Sequence, residues 1–275
     1  NDPDVIGCIA RAMAGEIADF ILIGEADKIR AVAVAQKVDI ERAEFVHAAD
    51  EHSACDMAAR FVHEGRAQAL MKGLVQSSSY ISAILHKQHG LVMPGQMLSC
   101  VATFEIPSYP KPLFVTDPGV NIAPSLEAKA RILKNAVELA RKLGVVAPKV
   151  ACIEAVEKVT PKMAGTAEAR ALREMGEQGI FGDAVVDGPL GFDAAISPKA
   201  AHTKGVPGIV AGHADIVLLP EIRAANVLYK SLVWFAGAAV ASIVVGARAP
   251  IVLPSRSDSE ATKLFSVALA VNVAE

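Results

Sequence analysis

Short apolar stretches alternate with amphipathic stretches along almost the whole chain of 275 residues. Apolar runs of about five residues are typical of parallel strands buried on both faces, and apolar residues at helical spacing are typical of helices that pack on such a sheet. The pattern predicts strands at 19–23, 44–47, 68–71, 149–153, 183–186, 215–219 and 251–253. It predicts helices at 2–14, 28–38, 51–64, 77–87, 124–144, 166–177, 192–200 and 222–235. This alternation predicts an α/β fold with a parallel, doubly wound sheet.

The stretch 97–116 departs from this alternation. Two extended segments, MLSCVATFEIP and PLFVTD, are joined by the turn-rich PSYPKP, which predicts an antiparallel excursion. If the middle of the chain forms a second domain, the last strand and helix return to the first. We therefore expect a discontinuous α/β domain at 1–104 plus 249–275, and a second α/β domain at 105–248 that mediates dimerisation.

Composition narrows the functional classes. Hydrophobic residues make up 52% of the chain and aromatic residues only 5%, so the excess is aliphatic, as buried strands require. With 27 basic and 30 acidic residues and no long basic run, an extended nucleic-acid surface is not expected. The apolar run 232–247 is too short for a membrane span, and the four cysteines have no metal-site spacing. A cytoplasmic protein with reduced thiols and no membrane contact is the expectation.

The segment 249–263, APIVLPSRSDSEATK, points most directly to chemistry. A short strand stops at Pro254, and Ser257 followed by Glu260 predicts a capping box that opens a helix. Ser255 and Arg256 then lie in the strand-to-helix connection, where unpaired N–H groups and the helix dipole favour an anion. The pattern equally fits a capped helix with a surface arginine.

Other motifs have ordinary structural explanations of similar weight. Lys72 follows a strand and fits a surface lysine, and Asp187 and Asp193 fit backbone caps. Asn226 and Lys230 share one helix face, which fits a solvated edge. His202 and His213 lack metal-ligand spacing, so no metal site is expected.

Taken in chain order, several longer segments resemble the phosphate acetyl/butyryltransferase family, most closely its phosphate butyryltransferase branch. The similar segments are ALMKG from 69, DPGVNIAP from 117, EAK from 127, AVEKVTPKM from 155, DGPLGFDAA from 187, AGHADIVLLPEIRAANVLYK from 211 and APIVLPSRSDS from 249. They extend from about residue 69 to the end of the chain and are specific in length and order.

The resemblance implies reversible transfer of a short acyl group, butyryl or similar, between coenzyme A and inorganic phosphate. It implies the two-domain α/β/α architecture of isocitrate and isopropylmalate dehydrogenases, with the active site in the interdomain cleft of a homodimer or larger homo-oligomer. No metal or cofactor beyond the substrate coenzyme A is expected. Ser255 and Arg256 match the family's Ser-Arg pair, which binds and polarises the transferring groups. Substrate-binding candidates within the similar segments are Lys72, Asn121, Asp187, Asn226 and Lys230.

Two positions depart from the family pattern. In the acetyltransferase branch an Asp six residues after the Arg is proposed to deprotonate the thiol, and here that position is Thr262. Asp258 is the expected base instead, because Glu260 is assigned to the capping box. Relatives often carry an Arg for phosphate at about position 82, where this chain has Ser82.

Two alternatives stay open on these residues. The departures at Thr262 and Ser82 are compatible with an acyl-CoA-binding protein that has lost catalysis. Asp183, Asp187 and Asp193 are compatible with a metal- and NAD-dependent decarboxylating dehydrogenase of the same architecture. Tests of metal dependence and of turnover would distinguish the acyltransferase, the binding protein and the dehydrogenase.

Overall fold

The computed structural model describes residues 2–255 and 258–274. The chain folds into two compact units, Asn1–Gln96 with Ala241–Glu275 (unit 1) and Met97–Val240 (unit 2). The chain passes from unit 1 to unit 2 after residue 96 rather than 104, and it returns after residue 240 rather than 248, so both boundaries lie eight residues before the expected ones. The first boundary is early because the strand at 99–105 pairs with the strand at 113–116 and so belongs to unit 2.

Unit 1 is an α/β unit with two groups of strands. Its elements in chain order are α1 (Pro3–Ala14), β1 (Ile21–Gly24), α2 (Ala26–Gln36), β2 (Glu44–His47), α3 (Glu51–His63), β3 (Leu70–Met71), α4 (Ser77–Ile84), β9 (Ala239–Val245, which begins in unit 2), β10 (Ile251–Val252) and α10 (Glu260–Val273). Strands β1 and β2 pair in parallel. Strand β10 pairs in parallel with β3 and antiparallel with β9.

The core of unit 1 forms around α1. Asp2 caps this helix by accepting from two backbone N–H groups, and Pro3 occupies its first turn. One face of α1, with Ile6 and Ile9, packs on α2 and its flanking residues. Cys8 and Ala12 pack instead on α10, against Leu264 and Val267. Helix α1 therefore fixes the position of α10, the helix that follows Ser255 in the chain.

Unit 2 contains β4 (Ser99–Glu105), β5 (Leu113–Thr116), α5 (Leu126–Lys142), β6 (Lys149–Ile153), α6 (Gly165–Glu177), β7 (Val185–Leu190), α7 (Phe192–Ile196), α8 (Pro198–Lys204), β8 (Ile216–Leu218) and α9 (Ile222–Trp234). Its strands follow the order β4-β5-β8-β6-β7. The first pair is antiparallel and the others are parallel, which confirms the predicted excursion. Every residue of β5 and β8 is buried, as expected for strands covered on both faces.

Two elements of unit 2, and the strand β9 that crosses from unit 2 into unit 1, differ from the sequence prediction. Strand β7 extends through Pro189. A proline is tolerated there because β7 is the last strand in this order, and one of its edges needs no N–H donor. The helix predicted at 192–200 is interrupted at Ser197, since the residue before a proline is disfavoured in helical conformation. Strand β9 was missed inside the apolar run 232–247.

Two expectations from composition can be compared with the structure. Within the described part of the chain, no helix is long and apolar enough to cross a lipid bilayer. All four cysteines are buried thiols, and burial raises the pKa of the Cys8 and Cys152 thiols to about 12. These thiols are therefore protonated at neutral pH and act as small apolar core residues.

Candidate active site

A cavity of about 220 Å³ in unit 1 brings together residues from two parallel strand ends and from α10. Lys72 directly follows β3, and its backbone N–H donates to the Val252 carbonyl at 3.0 Å. Ser255 comes three residues after Val252, the last residue of β10. Polar groups at the carboxyl ends of adjacent parallel strands are a common arrangement for ligand sites. The other polar residues lining the cavity are Asp2, Glu51, Gln76 and Lys263.

The loop between β10 and α10 is closed by two hydrogen bonds between Ser255 and Asp258. The Ser255 backbone N–H donates to Asp258 Oδ2 at 2.7 Å, and the Asp258 N–H donates to the Ser255 carbonyl at 3.1 Å. Arg256 and Ser257 lie outside the described residues. The structure thus places Ser255 and Asp258, two of the three predicted catalytic residues, in direct contact.

The predicted capping box of α10 is wrong, because the helix begins later than expected. Ser259 occupies the N-cap position, and its hydroxyl accepts from the Thr262 backbone N–H at 3.1 Å. Glu260 is the first residue of α10 rather than the third after its N-cap, and its carboxylate pairs with Arg11 of α1 at 3.2 Å. The predicted capping box therefore gives no ground for preferring Asp258 to Glu260 as the base. The Glu260 carboxylate is instead engaged by its ion pair with Arg11.

Lys263 is a residue of this cavity that the sequence analysis missed. Its side chain is only 3% exposed, and its ammonium donates to the Asp258 carbonyl and lies 3.4 Å from the Asp4 carboxylate. The signal was present, since Lys263 is the one basic residue in the largely apolar sequence of α10, EATKLFSVALAVNV. A buried lysine is costly unless its charge is paired, so this one anchors the end of the loop.

The start of α3 also lines the cavity, through Glu51. The Glu51 carboxylate accepts from the Gln76 backbone N–H at 2.9 Å. Hydrogen bonds from Ser79 and Gln76, with the positive charge of Lys72, lower the pKa of Glu51, so it is ionised at neutral pH. The Lys72 side chain itself is largely buried, and its Nζ donates to the Gly73 carbonyl at 3.3 Å.

The two family departures have different surroundings. The Thr262 backbone N–H donates to the Ser259 hydroxyl, and the hydroxyl groups of the two residues are hydrogen-bonded at 3.1 Å. A side chain at this position is thus near the loop but is engaged in holding the helix start. Ser82 is exposed on α4 and does not line the 220 Å³ cavity.

In unit 2 the loop that follows β5 gathers a second set of predicted residues around Asp117, which is 5% exposed. Its carboxylate accepts from the backbone N–H groups of Gly119 and Val120, both at 2.9 Å, and from the Asn121 side chain at 2.6 Å. The second amide hydrogen of Asn121 bonds to the Leu98 carbonyl at 2.9 Å. Asn226 of α9 donates to the Pro118 carbonyl at 3.1 Å, so Asn121 and Asn226 both stabilise this loop.

Burial raises the pKa of Asp117, although the hydrogen bonds from Gly119, Asn121 and Val120 act in the opposite direction. A carboxylate surrounded in this way orders its loop, since three successive backbone N–H groups converge on it. Asn121 and Asn226 stay predictions as substrate ligands, and their observed contacts are structural.

The remaining predicted residues of unit 2 lie on different elements. Asp187 of β7 accepts from the Gly188 N–H at 2.8 Å, and Lys230 of α9 is half-buried beside the Tyr229 ring. The acids considered for a dehydrogenase metal each have their own cation. Asp183 lies 3.5 Å from Arg141, Asp187 lies 3.4 Å from Arg173, and Asp193 lies 2.7 Å from Lys204.

Unit 1 also has a larger cavity of about 970 Å³, and it differs in character. Its lining includes all of β1 and much of α3 and is rich in Ile, Ala, Leu and Val, while Lys72, Ser255 and Lys263 are not part of it. Its cations, Lys28, Arg42 and Arg66, are each paired with a carboxylate. The smaller cavity, which includes Lys72 and Ser255, is therefore the candidate active site.

Comparison with known proteins identifies the family of the chain. Residues 51–271 match the family model described as "Phosphate acetyl/butaryl transferase". The chain is 44% identical over its full length to a probable phosphate butyryltransferase of Bacillus subtilis and 41% identical to the phosphate butyryltransferase of Clostridium acetobutylicum, covering 91% of each. It also superposes on a branched-chain phosphotransacylase from Enterococcus faecalis V583 with a TM-score of 0.88, at 33% identity, covering 98% of this chain and 95% of that one.

Proposed function

Because this chain belongs to the phosphate acetyl/butyryltransferase family, we propose that it transfers a four-carbon acyl group, straight or branched, between coenzyme A and inorganic phosphate. Transfer of an acyl group between these two acceptors is the reaction of the family, and the chain is an enzyme of that class. The preference for four carbons and the residue roles below are the parts that we propose.

One observation carries the proposal, the meeting of Lys72, Ser255 and Lys263 in one cavity of about 220 Å³. Pockets for drug-sized ligands measure about 300–1,000 Å³, so this one suits a phosphate and a short acyl group rather than a long chain. Its two buried lysines, Lys72 and Lys263, are the cations that would hold an anion, and they lie in a lining that also includes the Glu51 and Asp2 carboxylates.

The roles follow from the position of each group. In the direction of acyl phosphate formation, a phosphate oxygen attacks the thioester carbonyl, the C–S bond breaks and the sulfur takes up a proton. Lys72 and Arg256 attract the phosphate and the Ser255 hydroxyl donates to the carbonyl oxygen as it becomes an oxyanion. In the reverse direction Asp258 accepts the thiol proton.

Asp258 is held ready for this step by two contacts. The Ser255 N–H fixes its Oδ2 atom, and the Lys263 ammonium holds its backbone carbonyl. Lys263 is thus a positioning residue, since it acts on the loop that carries Ser255 and Asp258. Preorganisation of this kind reduces the cost of bringing the reacting groups into line.

The acyl preference rests on two supports. The relatives named above are phosphate butyryltransferases and a branched-chain phosphotransacylase. The other is the volume of the cavity, about 220 Å³, which suits a short acyl group. We propose no metal or cofactor for this reaction beyond coenzyme A.

We also propose that the enzyme is a homodimer in which unit 2 supplies the contact. The end of α9 exposes Trp234 at 70% and Phe235 at 92%, and Val227 lies two turns before Trp234 on the same helix face at 65% exposure. A patch of large apolar side chains on a helix end is typical of a protein interface. Light scattering of wild type and Phe235→Asp tests this, and a wild-type monomer would exclude the dimer.

The substrate proposal is tested by thiol release. Acetyl-, propionyl-, butyryl- and isobutyryl-CoA are each incubated with and without phosphate, and free thiol is followed with a thiol reagent. We expect phosphate-dependent release with the highest kcat/KM for a four-carbon chain. An optimum at acetyl would contradict the acyl preference. No release, with coenzyme A bound in calorimetry, would favour a binding protein that has lost catalysis.

A further inference from the structure

Five of the seven histidines lie between residues 47 and 89, and two of them meet a carboxylate. His86, His89 and Asp56 each offer a ligand atom, and these three atoms lie within 4.8 Å of one another. We propose that this group, the Asp56 cluster, binds a divalent transition-metal ion of the Zn²⁺ class. The cluster lies outside the residues proposed for catalysis, so it requires no change in the metal-free reaction.

The fold holds both histidines towards α3. They lie in the turn after α4, where the Gly90 N–H donates to the His86 carbonyl at 2.9 Å and the Leu91 N–H donates to the Ile84 carbonyl at 2.8 Å. Any side chain at Gly90 would place its Cβ 2.1 Å from the His86 carbonyl oxygen, so the turn requires glycine. The turn therefore presents His86 and His89 in a fixed arrangement.

Two of the three ligand atoms are already in contact. His89 Nε2 is hydrogen-bonded to Asp56 Oδ1, and the His86 and His89 rings stack with their centroids 3.8 Å apart. A bound ion would replace the proton that His89 and Asp56 share. Zinc ligands lie about 2.0–2.2 Å from the metal, so tetrahedral ligand atoms are about 3.3 Å apart, and shifts of roughly 1 Å complete the site.

The donor set selects the class of metal. Two imidazole nitrogens and one carboxylate oxygen suit Zn²⁺ and its transition-metal neighbours, whereas Ca²⁺ and Mg²⁺ prefer oxygen ligands alone. The side chains of His89 and Asp56 are 19% and 39% exposed, which leaves the site open to entry and to a water as fourth ligand. The nearest cation on α3, Arg60, is directed to Glu64 at 3.6 Å.

Binding has one local cost. The Gln88 N–H donates to His86 Nδ1 at 3.3 Å, and coordination through Nδ1 breaks this bond, while coordination through Nε2 places a proton on Nδ1. The bond is long and exposed, so its loss costs little. A bound ion would in return join α3 to the turn after α4.

Isothermal titration of Zn²⁺ into the full chain, stripped of metal with a chelator and free of coenzyme A, tests the proposal. We expect one ion per chain, and a melting temperature that rises by several degrees at saturating zinc. His89→Ala and Asp56→Asn should each weaken binding at least about 10-fold. Asp56→Asn keeps the side-chain shape, so it remains informative if His89→Ala does not fold.

The matched control is His52→Ala, which removes an exposed histidine one turn before Asp56 on α3, outside the cluster. His202→Ala on α8 is a second control. Both should bind zinc within about 3-fold of wild type. The proposal is overturned if wild type shows no saturable binding, if Asp56→Asn and His89→Ala bind normally, or if His52→Ala weakens binding as strongly as they do.

Discussion

The cavity of unit 1 and the Asp117 loop of unit 2 both collect polar residues after a strand, but they use them differently. Around Asp117 the polar groups satisfy one another, because the carboxylate accepts from three successive backbone N–H groups and from Asn121. In the cavity, the two buried lysines and the Ser255–Asp258 loop surround a space of about 220 Å³.

The difference separates residues that maintain the fold from residues that handle a ligand. When a polar group whose partners all belong to the protein is removed, the protein is expected to lose stability. A charged group that lines a cavity is expected to contribute to binding and turnover instead. The comparison therefore predicts losses of activity with little loss of stability in unit 1, and the reverse in unit 2.

The largest effect should follow from Arg256→Ala. Removing the permanent cation of the proposed phosphate site should lower kcat/KM about 10³-fold while the melting temperature stays unchanged. The comparison variant is Arg248→Ala, an exposed arginine just before β10, which should retain wild-type activity. Near-normal turnover of Arg256→Ala in the thiol-release assay would remove this loop from the mechanism.

Asp117→Ala should have the opposite profile. Three backbone N–H groups and Asn121 lose a buried acceptor, so the free energy of unfolding should fall by about 3 kcal/mol in urea denaturation. At temperatures where the variant is folded, KM for phosphate should be unchanged. Asp193→Ala, which removes an exposed ion pair with Lys204, should cost no more than about 1 kcal/mol. Equal costs for the two variants would contradict the structural role of Asp117.

The Asp117 loop also predicts a pH dependence. Its pKa is raised in the folded state, so the folded protein holds this proton more tightly than the unfolded chain. The contribution of Asp117 to the free energy of unfolding should therefore fall as pH rises from about 4 through the raised pKa. Asp117→Asn cannot ionise and should lack this decrease. Parallel slopes for the two proteins in urea unfolding between about pH 4 and 6 would show that ionisation of Asp117 is without effect.

Asp258→Asn tests the proposed base. An asparagine oxygen can still accept from the Ser255 N–H, so the loop should keep its geometry, whereas proton transfer is lost. We expect kcat to fall about 10²-fold with KM nearly unchanged. Glu260→Gln is the matched control, since Glu260 pairs with Arg11. An unchanged kcat in Asp258→Asn would exclude it as the base.

Among the variants of proposed catalytic and binding residues, Lys72→Met should have the smallest effect on activity. Methionine fills a similar volume without the charge, so KM for phosphate should rise about 10-fold with little change in the melting temperature. Lys28→Met, which removes an exposed lysine paired with Glu25 at 2.7 Å, should leave KM unchanged. A Lys72→Met variant with normal KM but lower stability would place Lys72 with the Asp117 loop, among the residues that maintain the fold.

Sequence by itself determined the class of fold and the connection between β10 and α10 in which Ser255 lies. Apolar runs identified the buried parallel strands, and the turn-rich PSYPKP identified the antiparallel pair β4 and β5. These features depend on residues a few positions apart, so local patterns contain them. The same holds for Ser255, which follows a strand that ends near a proline.

Only the tertiary structure decided which partners each polar residue takes. It assigned the cap of α10 to Ser259, buried Lys263 beneath the loop, and gave the amide of Asn121 to Asp117 and Leu98. It also brought Asp56 to His86 and His89, some thirty residues further along the chain. Such contacts depend on how helices and strands pack, and no local spacing in the sequence encodes that packing.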